Sequence, residues 1–452
     1  MRLAHTEYIG VLLFVALAVG ATLAAPPSAQ AEIKSVTVLA ATDIGPFRGK
    51  VYRELETRME GSAPGGPYTV PVTIAFPKQV SDHNGFAVVD IVNTVTIGNS
   101  QFVVGGRPLP LARMHMGEDF LFGMGNAYVA VIWDKMATDL LGNGTIAIPV
   151  DAYSILRDAA AFARNPAAFL PAEAGTPPAS SRLVAYGYSQ TGSILRGWYA
   201  QHLNSQTGVP TFDGALVAAA SGSCKDLYTW NSEICEGPLS DGGKVIVIST
   251  ETDVEWTGYV ERGETADYRI VEIAGVSHIP ASAADFRGHG MPEQNPADFA
   301  PVIRAALVNL ESWLQGNEPP PSITIQLTED VAKKLQGAPY RLAARDADGN
   351  AIGGVRLPHL PTTLDDGRRV GAPLGRYNGL ALAYEKRNDF FLISGTFTPF
   401  SPEKLRALYP DHETYVSAIA ASAQDLVAKR YILPEDADAY IDAAKRSAIG
   451  RP

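Results

Sequence analysis

The chain of 452 residues is acidic, with 37 Lys plus Arg, 48 Asp plus Glu and a formal net charge of −11, which argues against nucleic acid or anionic lipid as partners. Its composition, 46% hydrophobic and 19% charged, is that of a folded protein, with enough chain for one large domain or two to three ordinary ones. The two cysteines exclude a disulfide-rich scaffold, a four-cysteine zinc site and an iron–sulfur cluster.

An apolar segment of 15 residues over 11–25 follows a short N-terminal segment that contains an arginine. This length is short for a membrane span but matches the apolar part of a signal peptide, and Ala29 and Ala31 form the small-x-small pattern of a cleavage site. The sequence therefore predicts a signal peptide over 1–31 and a mature chain that begins near Glu32. We expect a periplasmic or secreted protein with no stable membrane span after cleavage. An uncleaved N-terminal anchor is the alternative.

The pattern of elements changes once along the next 300 residues. Residues 34–75 contain β-rich segments separated by Gly- and Pro-rich turns, which predicts antiparallel strands at the start of a sheet. Apolar strand patterns then recur at 85–92, 127–133, 182–187, 215–221, 244–249 and 268–274. Helical patterns lie between or after several of them, at 151–164, in the segment after the strand at 182–187 to about 203, and at 297–314. This alternation predicts an α/β fold with a mainly parallel central sheet and helices on both faces.

The C-terminal part of the sequence has a different character. Beyond the prolines at 319–321 there is a turn-rich stretch at 345–358, followed by helical patterns near 402–430 and 434–447. We therefore divide the chain into the signal peptide, a core over 32–320 and a C-terminal extension over 321–452. We expect this extension to pack on the core rather than to form an independent domain.

The two cysteines, Cys224 and Cys235, lie close together in a polar, loop-like stretch. In an oxidising compartment such a pair is expected to form a disulfide. Two free thiols are the alternative. A metal site is disfavoured because no histidine lies in this segment.

Residues 182–197 contain the pattern of a reactive serine. An apolar strand ends at Gly187, a tight turn carries Ser189, and a helical pattern follows. A serine in such a turn stands above the sheet edge, beside the N–H groups and positive dipole end of the helix. The pattern departs from a strict G-x-S-x-G, because Thr191 stands at the second position after the serine and Gly192 at the third. A helix-capping serine is the alternative interpretation.

A nucleophilic serine needs a base and an acid, which follow it in this order of elements as acid and then histidine. The strand at 244–249 ends in TETDVEW, and the strand at 268–274 ends in GVSHIP. His278 is the expected base, ahead of His289 in a later loop. Asp253 is the expected acid, Glu251 is the second candidate and Glu255 the third. A solvated acidic turn without function is the alternative for all three.

The backbone N–H of Gln190 is expected to be one donor of an oxyanion hole, because it directly follows the serine. The second donor is expected near Thr94, in the loop after the strand at 85–92. No metal or organic cofactor is predicted, since the H-E-x-x-H and P-loop patterns do not occur in the sequence.

The segments GYSQTG, TETDV and AGVSHI, each following a strand, resemble the α/β-hydrolase fold. More closely, they are similar to a bacterial group of alpha/beta hydrolase domain-containing proteins with a G-x-S-Q-[ST]-G turn, which segments over 346–358, 397–400 and 431–444 also resemble. The resemblance implies Ser189 as nucleophile, His278 as base and an acid within 251–253. It implies serine hydrolase chemistry but no particular substrate.

The expected function is hydrolysis of a small-molecule carboxylic ester through an acyl-enzyme intermediate. Four other enzymes could use the same residues: an amidase, a lactonase, a thioesterase or an acyltransferase. A non-catalytic exported binding protein is the alternative from another class. The sequence makes no prediction of the oligomeric state.

Overall fold

The computed structural model of the protein describes residues 32–93, 96–97, 100–101, 110–134, 144–146, 152–220, 223–225, 232–235, 239–256, 263–281, 294–335, 338–382 and 392–451. The predicted signal peptide, residues 1–31, lies outside the described residues.

The strands of the large sheet and of the smaller hairpins are numbered in chain order. They are β1 (Glu32–Phe47), β2 (Lys50–Ala63), β3 (Gly66–Pro77), β4 (Phe86–Ile91), β5 (Thr96–Ile97), β6 (Ser100–Gln101), β7 (Ala127–Val131), β8 (Thr145–Ile146), β9 (Arg182–Tyr188), β10 (Gly214–Ala218), β11 (Ser223–Lys225), β12 (Ser232–Ile234), β13 (Lys244–Thr250), β14 (Tyr268–Ile273), β15 (Leu327–Leu335), β16 (Ala338–Ala343), β17 (Thr362–Thr363), β18 (Arg369–Val370), β19 (Gly375–Asn378) and β20 (Thr396–Pro399).

The α-helices of the described residues are numbered in the same way. They are α1 (Leu111–Met116), α2 (Glu118–Gly123), α3 (Ala152–Arg164), α4 (Gln190–Ala200), α5 (Glu251–Trp256), α6 (Ala300–Leu314), α7 (Pro402–Leu408), α8 (His412–Ala428) and α9 (Pro434–Arg446).

The central sheet has the strand order β1-β2-β3-β7-β4-β9-β10-β13-β14, and β8 also pairs with β3. Strands β1, β2 and β3 pair antiparallel, and β3 pairs antiparallel with β7. From β7 to β14 every neighbouring pair is parallel. The predicted fold class, a mainly parallel sheet preceded by antiparallel strands, is therefore confirmed.

The parallel strands are apolar because helices cover both faces of the sheet. In β4, Val88 packs in one hydrophobic cluster and its neighbour Val89 packs in another, and both are buried. Alternate side chains of a strand point to opposite faces, so a strand that is covered on both sides has no position left for a polar residue facing water. The first cluster contains residues of α1 and α6, and the second contains residues of α3 and α4.

The C-terminal extension continues the sheet beyond β14. Ile323 forms a parallel bridge with Val271, and Val355 forms one with Ile273. Farther along, Leu426 and other apolar residues of the extension pack in the same hydrophobic cluster as the core. These contacts attach the extension to the edge strand and to one face of the sheet.

One predicted helical stretch is divided in the structure. The pattern near 402–430 forms two helices, α7 and α8, which are separated by Tyr409, Pro410 and Asp411. A residue before proline avoids the helical conformation, and Tyr409 has φ −128° and ψ 78°. The Asp411 side chain then accepts a hydrogen bond from the backbone N–H of Thr414 and begins the next helix.

The structure contains the predicted disulfide between Cys224 and Cys235, whose Cα atoms lie 5.5 Å apart. It closes the hairpin of β11 and β12. Among the helices of the described ranges, none combines the length and apolar character needed to cross a bilayer.

Replacement of Ile432 by Ala tests how closely the extension is coupled to the core. The side chain is 1% exposed and belongs to the shared hydrophobic cluster, so its truncation should lower the free energy of unfolding by about 2–5 kcal/mol. We expect one cooperative transition in urea, displaced as a whole, by circular dichroism and by tryptophan fluorescence. Two separate transitions, only one of them displaced, would contradict the expectation.

Candidate active site

Ser189 occupies a sharp turn between β9, which ends at Tyr188, and α4, which begins at Gln190. Its backbone has φ 55° and ψ −114°, a left-handed conformation that is costly for a residue with a Cβ atom. The backbone N–H of Ser189 donates to the carbonyl of Ala218 on the neighbouring strand over 2.9 Å. The side chain makes no capping hydrogen bond to the helix, unlike an ordinary capping serine.

The small residues around Ser189 allow the strand and the helix to approach closely. A Cβ atom on Gly187 would lie 2.5 Å from the carbonyl oxygen of Thr191, and one on Gly192 would lie 2.9 Å from that of Ala218. Both contacts are to backbone, so neither space is available to a larger residue. The crowding explains why a glycine stands at the third position after the serine.

Thr191 has a specific role in the same turn. Its hydroxyl oxygen accepts a hydrogen bond from the backbone N–H of Tyr188 over 3.0 Å, and the residue is 1% exposed. Threonine at this position therefore stabilises the turn instead of merely fitting into it.

The structure brings Ser189, His278 and Asp253 together. Ser189 Oγ lies 2.9 Å from His278 Nε2, and His278 Nδ1 lies 2.7 Å from Asp253 Oδ1. Because a carboxylate only accepts hydrogen bonds, the proton belongs on Nδ1, and Nε2 is then free to accept from the Ser189 hydroxyl. The other oxygen, Asp253 Oδ2, accepts from the backbone N–H and the hydroxyl of Thr250, over 3.0 and 2.6 Å.

Burial changes along this chain of hydrogen bonds. Asp253 is fully buried, His278 is 6% exposed, and Ser189 is partly exposed. The arrangement thus leads from a fixed internal carboxylate to a hydroxyl at the edge of the sheet.

The other two acidic candidates have different partners. Glu251 accepts hydrogen bonds from the backbone N–H groups of Gly275 and Gly379, over 2.7 and 2.9 Å. Glu255 accepts from the backbone N–H of Ala343 over 2.8 Å. Arg345 forms ion pairs with both, each of 2.7 Å. Burial, together with the nearby Glu251 charge, raises the pKa of Glu255 to about 8.

Two further residues hold the backbone of His278. The hydroxyl oxygen of Thr252 accepts from the His278 N–H over 3.0 Å, and the Tyr188 hydroxyl donates to the His278 carbonyl. Sequence reasoning considered the acids in TETDVEW but overlooked both threonines of that segment, Thr250 and Thr252. The sequence contained one signal for them, since both threonines flank Glu251, one of the candidate acids.

A buried polar layer lies beneath the turn. His115 Nδ1 lies 2.6 Å from the Tyr186 hydroxyl, and the imidazole packs edge-on against the Tyr188 ring with a centroid distance of 4.5 Å. Burial lowers the pKa of His115 to about 4, so this histidine is neutral. Sequence reasoning did not single out His115, whose neighbours are distant in the chain.

The expected oxyanion donors are only partly described. Gln190 is the first residue of α4, whereas Thr94 lies outside the described residues. Its neighbour Asn93 donates from Nδ2 to the Tyr188 carbonyl over 2.9 Å, which joins the end of β4 to the serine turn.

His289, the second candidate base, also lies outside the described residues. Within the described part of the chain, no group of three or more His, Cys, Asp or Glu side chains is arranged to hold a metal ion.

Comparison with known proteins assigns the family. The alpha/beta hydrolase domain family matches residues 46–442, and the chain belongs to this family. No curated protein matches the chain.

The chain is also similar to solved structures at low identity. One is the rice cell wall degrading esterase LipA from Xanthomonas oryzae, with 12% identity and a TM-score of 0.25 over 42% of this chain and 54% of that one. Another is a glucuronoyl esterase from Solibacter usitatus, with 11% identity and a TM-score of 0.30 over 81% of this chain and 86% of that one. The chain therefore spans about half the length of the LipA structures that it matches.

Replacement of Thr191 by Ala tests the turn. The Tyr188 N–H would lose its acceptor in a buried environment, so the free energy of unfolding should fall by about 1–3 kcal/mol. Thr191→Ser retains the hydroxyl and is the matched control. Urea denaturation of the three proteins measures the effect, and equal stability of the Ala and Ser variants would contradict it.

Proposed function

We propose that the protein is a serine hydrolase that cleaves carboxylic esters through an acyl-enzyme. The observation that carries the proposal is the chain of hydrogen bonds of 2.9 and 2.7 Å that joins Ser189 through His278 to the buried Asp253. The left-handed backbone of Ser189 supports it, because strain at a residue of this kind is common at reactive sites.

In the proposed mechanism His278 Nε2 removes the Ser189 proton as Oγ attacks the ester carbonyl. The Asp253 carboxylate, held by Thr250, keeps the imidazole in the tautomer with a proton on Nδ1 and stabilises the imidazolium. The backbone N–H of Gln190 is one proposed donor to the oxyanion. The imidazolium then protonates the leaving alcohol, and neutral His278 activates the water that hydrolyses the acyl-enzyme.

An ester is the proposed bond because an alcohol leaves more readily than an amine, so ester cleavage makes a smaller demand on these residues than amide cleavage. Amides, lactones, thioesters and acyl acceptors other than water would use the same residues, since specificity resides in the pocket walls. A panel of these substrates, with competing alcohols as acceptors, separates the alternatives.

Replacement of Ser189 by Ala should lower kcat on short p-nitrophenyl esters by about four to six orders of magnitude, because the nucleophile is lost. The exposed Ser35 in β1 provides the control, and Ser35→Ala should retain full activity. A fluorophosphonate probe should label the wild-type protein at Ser189, which mass spectrometry locates, and should leave Ser189→Ala unlabelled.

Activity of Ser189→Ala equal to that of the wild type would exclude the assignment. Absence of any adduct on the wild-type protein would favour a non-catalytic binding protein.

In the same assay Asp253→Asn should lower kcat by about four orders of magnitude, through loss of the correct imidazole tautomer.

We also propose that the protein is exported, with cleavage near Glu32. The disulfide between Cys224 and Cys235 supports export, because such bonds persist in oxidising compartments. Intact-mass measurement of the protein recovered from the periplasm or medium of a bacterial host should give a chain that starts near Glu32. Recovery of the full-length chain from the membrane fraction would instead support an uncleaved anchor.

A further inference from the structure

Helix α5 has polar contacts on two sides. It directly follows β13, and Asp253 on one side contacts His278. Glu251, Thr252 and Glu255 also contact residues of the C-terminal extension. This short helix therefore lies between the proposed active site and the extension.

The Glu251 carboxylate joins three segments. Oε2 accepts from the backbone N–H of Gly275, in the loop that reaches His278 three residues later. Oε1 accepts from the backbone N–H of Gly379, and the Arg345 guanidinium lies 2.7 Å from the same oxygen. One fully buried side chain thus connects the acid-bearing helix, the histidine loop and the extension.

Arg345 links both glutamates of α5. Its Nη1 atom lies 2.7 Å from Glu251 Oε1, and its Nη2 atom lies 2.7 Å from Glu255 Oε1. The two side chains are 0% and 1% exposed, so Arg345 and backbone N–H groups, rather than bulk water, are their polar partners. The planar guanidinium holds its two Nη atoms at a fixed separation, so one side chain pairs with both carboxylates at once.

Thr252 makes a second connection between α5 and the extension, again at Gly379. Its hydroxyl oxygen accepts from the His278 N–H, and its O–H donates to the Gly379 carbonyl over 2.6 Å. A Cβ atom on Gly379 would lie 2.5 Å from the Thr252 nitrogen, so the two backbones are in close contact. The extension therefore contacts α5 beside the residue that holds the His278 backbone.

We propose that Glu251 and Arg345 are positioning residues, through which the C-terminal extension sets the Asp253–His278 contact. The inference rests on the proposed function, because it assigns the extension a role in the reaction of Ser189. Neither residue touches the reacting atoms; each acts through α5 and the histidine loop.

The position of Glu251 requires a carboxylate. Two backbone N–H groups point at its two oxygens, and a carboxylate can accept at both. A glutamine of the same shape has one oxygen, and its NH₂ group would face one of these N–H donors. Glu251→Gln therefore disrupts one of these two hydrogen bonds while the volume of the side chain stays nearly the same.

Kinetics of Glu251→Gln on a p-nitrophenyl ester test the proposal. Active sites are first titrated with a fluorophosphonate, so that kcat refers only to folded, reactive protein. We expect kcat per active site to fall about 10- to 100-fold, the cost of displacing a reacting group by roughly 1 Å, with KM unchanged within about twofold.

Asp436→Asn is the matched control. Asp436 is buried and pairs with Arg304, so it also forms an ion pair between the extension and the core, but away from α5. This variant should be less stable and should keep the wild-type kcat per active site. An equal fall in kcat for both variants would show general loosening and would overturn the proposal.

Arg345 provides a second, independent pair of variants. Its replacement by Met leaves two buried acids without their cationic partner, so kcat is again referred to titrated active sites. Arg345→Met should lower kcat per active site by a similar factor. Arg345→Lys should recover part of the loss, because an ammonium group balances the charge but lacks the two-pronged geometry.

The outcomes separate this proposal from the proposed function. If the wild type is labelled at Ser189 and turns over esters, while Glu251→Gln and Arg345→Met keep kcat within twofold, only the positioning role is wrong. A rise in KM at constant kcat would also overturn it, because the residues would then act on substrate binding. If the wild type is neither labelled nor active, the proposed function fails and the positioning role fails with it.

Discussion

Parallel pairing of β9, β10, β13 and β14 is the constraint on which the arrangement of the site depends. Parallel strands end at the same edge of a sheet, so whatever follows each strand is collected there. Ser189 follows β9, Asp253 lies just after β13, and His278 lies in the loop after β14. The three residues are far apart in sequence, yet the hydrogen bonds between them need only short turns at one edge.

Several features that are unfavourable on their own lie together at this edge: a left-handed backbone and buried acidic side chains. Ser189 has a left-handed backbone, and Glu251, Asp253 and Glu255 are acids buried within one short helix. Each feature has a compensating contact: the Ala218 carbonyl for the serine turn, Thr250 for Asp253, and Arg345 for the glutamates. Buried acids of this kind need such partners, and the partner of the glutamates comes from the C-terminal extension. The extension is therefore part of the environment of the proposed active site as well as of the hydrophobic core.

Much of the architecture could be predicted because its signals are local. Buried parallel strands are continuous apolar runs, and the predicted strand at 182–187 differs from β9 by a single residue. Cys224 and Cys235 are close in sequence, so their pairing was also predictable. The break between α7 and α8 near 409–411 was not predicted. Only a proline and a capping aspartate mark it, and the composition on both sides is helical. The long hairpin of β1 and β2 was predicted as shorter pieces, since its sequence has few continuous apolar runs.

By itself the sequence determined the order of elements, the family resemblance and a small set of candidates for each position of the site, because each of these depends on patterns within a few residues. It left three acids in one turn without a decisive difference between them. Only the tertiary structure distinguished them, because the direction of each side chain on α5 depends on what packs against that helix. Asp253 contacts the His278 ring, whereas Glu251 and Glu255 pair with Arg345, which follows them by about ninety residues. Contacts across that separation are set by how the chain returns to the sheet, and no local pattern encodes them.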